Sequence, residues 1–285
     1  MGEIVGAAIC SHHPGLMQNL DFRLLMGAGT DSDLIGGYKR IRAEIDRVGA
    51  DTVVILDSHW FTTGYHLVDG VAAYKGRYIS DEMPWYLFGV PYDYQGDPEL
   101  ADLVEEVAKE TGVKAQTMRD PDLPRHYASI NLVHHMRLED KKVMSVGTCQ
   151  TAKSHHYLEM GEVLGEAIRR SDRKVVLVAS GALSHKFNDL DWKQQHPRIF
   201  HPSNVSDPKF VESDLEVIEL FKQGRHDQII ANFDTYRAQP WEGFGGHYLP
   251  MIGALGGAKS TAKGPPRSEY ENARGTGNIM IWFEV

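Results

Sequence analysis

Ile4-Val5-Gly6-Ala7-Ala8-Ile9 runs directly into Cys10-Ser11-His12-His13-Pro14, an apolar stretch of strand length that ends on histidine. Four further runs share its character: Val53 to Leu56, Val143 to Val146, Val175 to Ala179 and Ile279 to Phe283. They are short, rich in Val and Ile, and mostly non-alternating. Such runs read as strands covered on both faces, as in a sheet held between two layers of helix.

Helical patterns fill the intervals. Leu34, Tyr38, Ile41, Ile45 and Val48 recur at steps of four and three and stop at Gly49. Asp97-Pro98-Glu99 is a helix start, with an N-cap, a proline at the first helical position and an acid in the first turn. Leu100, Leu103, Val104, Val107 and Ala108 then share one side as far as Gly112. Met160, Val163, Leu164, Ala167 and Ile168 repeat the pattern, and Asp207-Pro208 opens a helix carrying Val211, Leu215 and Ile218. Strands alternating with helices predict an α/β fold: a single domain over residues 1–285, with a largely parallel central sheet and helices on both faces. Asp191 to Asp207 and Gly257 to Gly277 read as long loops, which often wall a site.

Composition narrows the function. The 285 residues can bury a full core, and 42% hydrophobic with 24% charged residues is ordinary for a globular protein. A formal net charge of −9 argues against a nucleic-acid surface, because backbone phosphates reward clusters of Lys and Arg. No run reaches the roughly 18–20 apolar residues that span a bilayer, so no membrane association is expected. The amino-terminal residues lack the basic start and apolar core of a signal peptide. Two cysteines, Cys10 and Cys149, make a disulfide framework unexpected and point to a reducing cytoplasm.

The 14 histidines carry more information through where they fall. In open α/β sheets, ligands gather at the carboxyl ends of strands. His12 and His13 follow the first strand, His59 follows the second, and His185 follows Val175 to Ser180 through Gly181-Ala182-Leu183-Ser184. Trp241-Glu242-Gly243-Phe244-Gly245-Gly246-His247 adds a carboxylate on a glycine-rich loop before the apolar helix Leu249 to Leu255. Each is alone an ordinary loop residue. Together, two histidines and one carboxylate are the ligand set of oxygen-activating Fe(II) sites, leaving positions open for a chelating diol and dioxygen. A further histidine outside that set can carry a substrate proton near neutral pH. Spacing by itself leaves the metal and the enzyme class open. A zinc hydrolase could use the same trio with water in the fourth position, and a metal-free binding relative could keep the fold alone.

At these residues the sequence resembles the class III extradiol ring-cleavage dioxygenases, the family of the protocatechuate 4,5-dioxygenase catalytic subunit. The segments that match, in the family's order, are Ser11-His12-His13-Pro14-Gly15, Asp57-Ser58-His59-Trp60, Ala179 to His185 and Trp241-Glu242-Gly243, with Gly275-Thr276-Gly277-Asn278 as a fifth. The resemblance implies a metal site of His12, His59 and Glu242, loaded with Fe(II) or alternatively Mn(II), and His185 as the acid/base beside it. His13 is not expected as a ligand. Where many members carry Asp-His-Gly, this chain reads Arg125-His126-Tyr127-Ala128, which puts Tyr127 at the position of an assisting histidine, with His126 as a substitute. A tyrosine hydroxyl donates a hydrogen bond but is a poor base at pH 7, so the proton work shifts to His185. The implied partners are a small aromatic diol and dioxygen, with the chain a homo-oligomer. Chain length, Tyr127 and the Asp57 to Trp60 stretch look most like members acting on 3,4-dihydroxyphenylacetate, while members acting on aminophenols, aminobiphenyl-diols or dihydroxyphenylpropionate share the same metal motifs. A substrate carboxylate needs a cation or donor, and Arg125, Lys186, Arg237 and His247 are the candidates.

Overall fold

The computed structural model describes residues 1–238 and 240–285, the side chains of Arg237 and Ala238 excepted. The chain opens with β1 (Glu3–Cys10), passes through α1 (Leu20–Met26) and α2 (Asp33–Arg47), and returns as β2 (Thr52–Thr62). Next come β3 (His66–Asp69), the hairpin β4 (Ala73–Ile79) and β5 (Phe88–Gln95), α3 (Pro98–Thr111) and β6 (Ala115–Met118). Then α4 (Tyr127–Met136), β7 (Lys142–Cys149), α5 (Ser154–Arg170) and β8 (Lys174–Ser180) follow. A long connection leads to α6 (Pro208–Gln223), α7 (His226–Ala231), α8 (Phe233–Ala238) and α9 (Tyr248–Ala254). The hairpin β9 (Glu271–Ala273) and β10 (Thr276–Asn278) and the closing β11 (Met280–Phe283) complete the chain.

The main sheet runs β11-β1-β8-β2-β7-β3-β6, with β5 joining β7 and β4 joining β5. Its centre, β1-β8-β2-β7, is parallel, while β11 runs antiparallel to β1 and β3 antiparallel to β7 but parallel to β6, so the sheet is mixed but mostly parallel. Alternate side chains of each central strand serve opposite cores. Ala7, Ile9, Val54, Leu56, Val175, Leu177 and Ala179 meet α3, α5, α6 and α9; Ala8, Cys10, Val53, Ile55, Val176 and Val178 meet α2 and α4. That two-sided burial explains the unbroken apolar runs. No helix among the described residues is long and apolar enough to cross a membrane.

Register then places the chemistry. Cys10 and Asp57 both pair with Ser180, so the residues after β1 and β8 and the far part of β2 emerge at one level. Three expectations change. His59 lies within β2 rather than after it, because the strand resumes past a register shift between Asp57 and Phe61. The amides of His59 and Trp60 turn there to Asp57 Oδ1, at 2.8 and 2.9 Å. The end of the second expected loop is the β9–β10 hairpin. On α6, Leu215 is 50% exposed, and the buried side is Phe210, Asp214, Val217, Ile218 and Phe221.

α9 holds its place by close approach to α5. A Cβ on Gly161 would stand 2.3 Å from the Pro250 carbonyl, and one on Gly253 would stand 2.5 Å from that of Leu158. Gly161→Val should therefore lower stability by about 1–3 kcal/mol in urea unfolding. An unchanged midpoint would show that the contact does not fix α9.

Candidate metal centre

Glu242 is the node of the site. Its carboxylate is buried; Oε1 accepts from Ser58 Oγ at 3.0 Å and lies 2.9 Å from both His12 Nε2 and His59 Nε2. Oε2 takes the amide of Ala182. The loop that delivers it winds left-handed at Gly243 and Phe244, with φ of 54° and 57°. A Cβ on Gly243 would sit 2.9 Å from Ser58 Cβ, and one on Gly245 would sit 2.1 Å from the Phe233 ring, so glycine is required twice.

The orientation of each imidazole follows from its outer nitrogen. The Ser180 hydroxyl donates to the Ala128 carbonyl at 2.8 Å, so toward His12 Nδ1, also at 2.8 Å, it can only accept. His12 Nδ1 therefore carries the proton and Nε2 faces the cluster. His59 Nδ1 donates to Glu82 Oε1 at 2.9 Å, which likewise turns its Nε2 inward. Carboxylate-to-histidine and hydroxyl-to-histidine contacts of this kind orient metal ligands.

The ligand atoms of His12, His59 and Glu242 lie within 4.8 Å of one another. The 2.9 Å separations from Glu242 suit adjacent corners around an ion with ligand distances of about 2.0–2.2 Å. Two imidazoles and a carboxylate fit a divalent transition metal. Electrostatics single out the same carboxylate. Burial opposes charge on both Glu242 and His59. Nevertheless, the nearby His12 and His185, with the close contacts of His12 and His59, hold the Glu242 carboxyl well below the usual range. Hydrogen bonds to Glu242 and Glu82 push His59 up to about 10. The cluster is built to concentrate positive charge on a buried carboxylate.

Around it opens a cavity of about 1140 Å³, above the roughly 300–1,000 Å³ of most ligand pockets. His185 lines it, with its ring 4.9 Å from Phe187, and burial lowers its pKa. Tyr127 begins α4 and brings its hydroxyl to 2.6 Å from His59 Nε2; burial, then Glu242, raise its pKa far above the usual tyrosine value. His126 also reaches the wall, but its ring stacks 6.4 Å from Trp60. His13 turns Nδ1 to the Gly15 amide at 3.0 Å.

A family model described as the catalytic LigB subunit of aromatic ring-opening dioxygenase matches residues 6–284. The chain belongs to this family. It is an extradiol ring-cleaving oxidoreductase, and the family is metal-dependent. It is 27% identical to the 3,4-dihydroxyphenylacetate 2,3-dioxygenase of Escherichia coli, over 92% of this chain and 94% of that one. It is 30% identical to the 2-aminophenol 1,6-dioxygenase beta subunit of a Pseudomonas species, covering 80% and 77% of the two chains. A crystal structure of an uncharacterized protein from Escherichia coli K12 shares the fold with a TM-score of 0.62 at 15% identity, covering 98% and 99% of the chains.

The expected substrate cations are not where the cavity needs them. Arg125 is buried against Asp69 at 2.7 Å and covers the Tyr74 ring at 3.8 Å, because a buried guanidinium requires a partner. Lys186 is exposed and outside the wall, and His247 is fully buried behind Gly181. The side chain of Arg237 lies outside the described residues. Two neighbours of the site escaped the sequence reading. One is Arg274, in the cavity wall. The other is Asp214, whose carboxylate accepts from the Ser184 amide at 3.0 Å, the Ser184 hydroxyl at 2.6 Å and the Tyr270 hydroxyl at 2.8 Å, directly beside His185. An acid on the buried stripe of α6 was its signal.

Burial pushes Asp214 up to about 7 against the hydrogen bonds from Ser184 and Tyr270. The folded protein therefore holds this proton where the unfolded chain, near 3.8, releases it. Its contribution is fully present at low pH and is lost as pH rises toward 7. Melting curves from pH 4 to 8 should show this loss in the parent and a flatter profile in Asp214→Asn. Parallel profiles would contradict the shift.

Proposed function

We propose that this protein opens the ring of 3,4-dihydroxyphenylacetate beside its diol, inserting both atoms of dioxygen to give 5-carboxymethyl-2-hydroxymuconate semialdehyde. The metal is Fe(II), with Mn(II) as the alternative, held by His12, His59 and Glu242. The observation that carries this reading is the convergence of those three residues in the wall of a cavity that His185 also lines. The substrate choice is supported by similarity to a 3,4-dihydroxyphenylacetate 2,3-dioxygenase along nearly the whole chain.

When bound, the ion supplies positive charge for the diol oxygens and the means to activate dioxygen. The chain's own groups do the rest. His185 takes a hydroxyl proton from the diol and later returns it to a developing oxygen anion. Tyr127 keeps its proton and offers a fixed hydrogen bond at the cluster. Phe61, Phe187, Trp241 and Phe244 line the approach and keep water from the reacting ring. The reading extends to a cytoplasmic homo-oligomer. It is supported by two free buried cysteines and by exposed Ile79, Trp85 and Phe88 on and around the β4–β5 hairpin.

Metal-free protein given Fe(II) anaerobically, then air and 3,4-dihydroxyphenylacetate, should consume oxygen and form the yellow ring-opened product. His185→Ala should keep its metal yet turn over about 10²–10⁴-fold more slowly. Near-normal turnover in that variant would sink the acid/base assignment, and no oxygen uptake by the parent with any catechol would sink the reaction.

A further inference from the structure

Arg274 stands at the tip of the β9–β10 hairpin, where Ala273 pairs with Thr276 and only Arg274 and Gly275 make the turn. Their φ values are 50° and 92°, the left-handed pair of a two-residue hairpin turn. Asparagine or glycine is the usual first residue of such a turn. A long side chain gains nothing there and adds backbone strain. The turn therefore does not explain why an arginine occupies it.

The cavity offers the reason. Among its described lining residues, Arg274 is the sole lysine or arginine; it is exposed, and its guanidinium has no hydrogen bond or ion pair among the described residues. Much of the surrounding wall is apolar, including Phe22, Met26, Tyr86 and Ile199. Its carboxylates are Glu82 and Glu242, both engaged by histidines, and Asp81. The hairpin is also fixed relative to the reacting groups. Thr276 bridges His185, the Lys186 amide donates to Gly275 at 3.3 Å, and the Asn188 amide donates to the Arg274 carbonyl at 3.2 Å. On the other edge of the same segment, the His185 amide donates to Pro240, and the Glu242 amide to Leu183. Glu242, His185 and Arg274 thus sit on three adjacent, mutually bonded lengths of backbone.

We propose that Arg274 anchors an anionic arm of the substrate, so that the cavity selects aromatic diols bearing a carboxylate over neutral ones. This rests on the ring-cleavage reading and names the residue that narrows its substrate class. A guanidinium facing a carboxylate across an apolar wall makes a charge-assisted, two-point contact. The cavity exceeds what a single ring fills, which leaves room for the arm.

The test compares 3,4-dihydroxyphenylacetate with 4-methylcatechol by calorimetry, under nitrogen, on the metal-loaded parent and on Arg274→Asn and Arg274→Lys. Arg274→Asn should bind the acid about ten-fold or more weakly, with 4-methylcatechol changed less than about two-fold. Arg274→Lys should fall between. Asparagine relaxes the turn, so the variant should melt no lower than the parent, which separates lost recognition from lost folding. Equal weakening of both ligands, unchanged affinity for the acid, or no binding of the acid by the parent would overturn the anchor. If air then yields no ring-opened product while the binding preference persists, the reaction reading fails and the anchor stands.

Discussion

A buried carboxylate must be paired, and Glu242 is paired with groups from three separate parts of the chain. His12 comes from the end of β1, Ser58 and His59 from the irregular middle of β2, and the Ala182 amide from the turn after β8. Isolated burial of that charge would cost several kcal/mol, so the carboxylate is held only if all these segments arrive together. The parallel sheet makes this happen, because its register sets the ends of β1 and β8 level with Asp57. Glycines at 243 and 245 let the loop approach without a Cβ in the way. The same arrangement that satisfies one acid produces a ligand set for a metal.

Outside the cluster, the structure divides its labour by proton and charge. The outer nitrogens of His12 and His59 are committed to Ser180 and Glu82, which keeps their inner nitrogens on the ligand side. Tyr127 is held as a donor by burial. The His185 side chain makes no hydrogen bond to another residue among the described residues, and the Asp214–Ser184 contacts steady the backbone before it. A free imidazole on a steadied backbone suits a proton carrier.

The fold was legible where burial on both faces writes uninterrupted Val and Ile, as in β1, β7 and β8. It was not legible in β3 to β6: β3 and β6 are only four residues each, and β4 and β5 carry few buried residues to signal a strand; in β4 only Tyr74 and Tyr78 turn inward. His59 was found by its motif, yet its setting was misjudged. Asp57-Ser58 looks like a strand end, but Asp57 takes up the amides freed by the bulge and the strand continues. His12 and Glu242 were readable from motifs, whereas Arg274 and Asp214 depend on tertiary placement. Arg125 shows the converse: closeness in sequence to Tyr127 put it beside the site, and pairing with Asp69 took it away.

The central claim is that His12, His59 and Glu242 together hold the ion. Anomalous scattering at the iron edge from anaerobically Fe(II)-loaded crystals tests it most directly. The account predicts one peak within about 2.3 Å of both Nε2 atoms and a Glu242 carboxylate oxygen. A peak bound through His185 or another histidine cluster, or no peak at the trio, would contradict it.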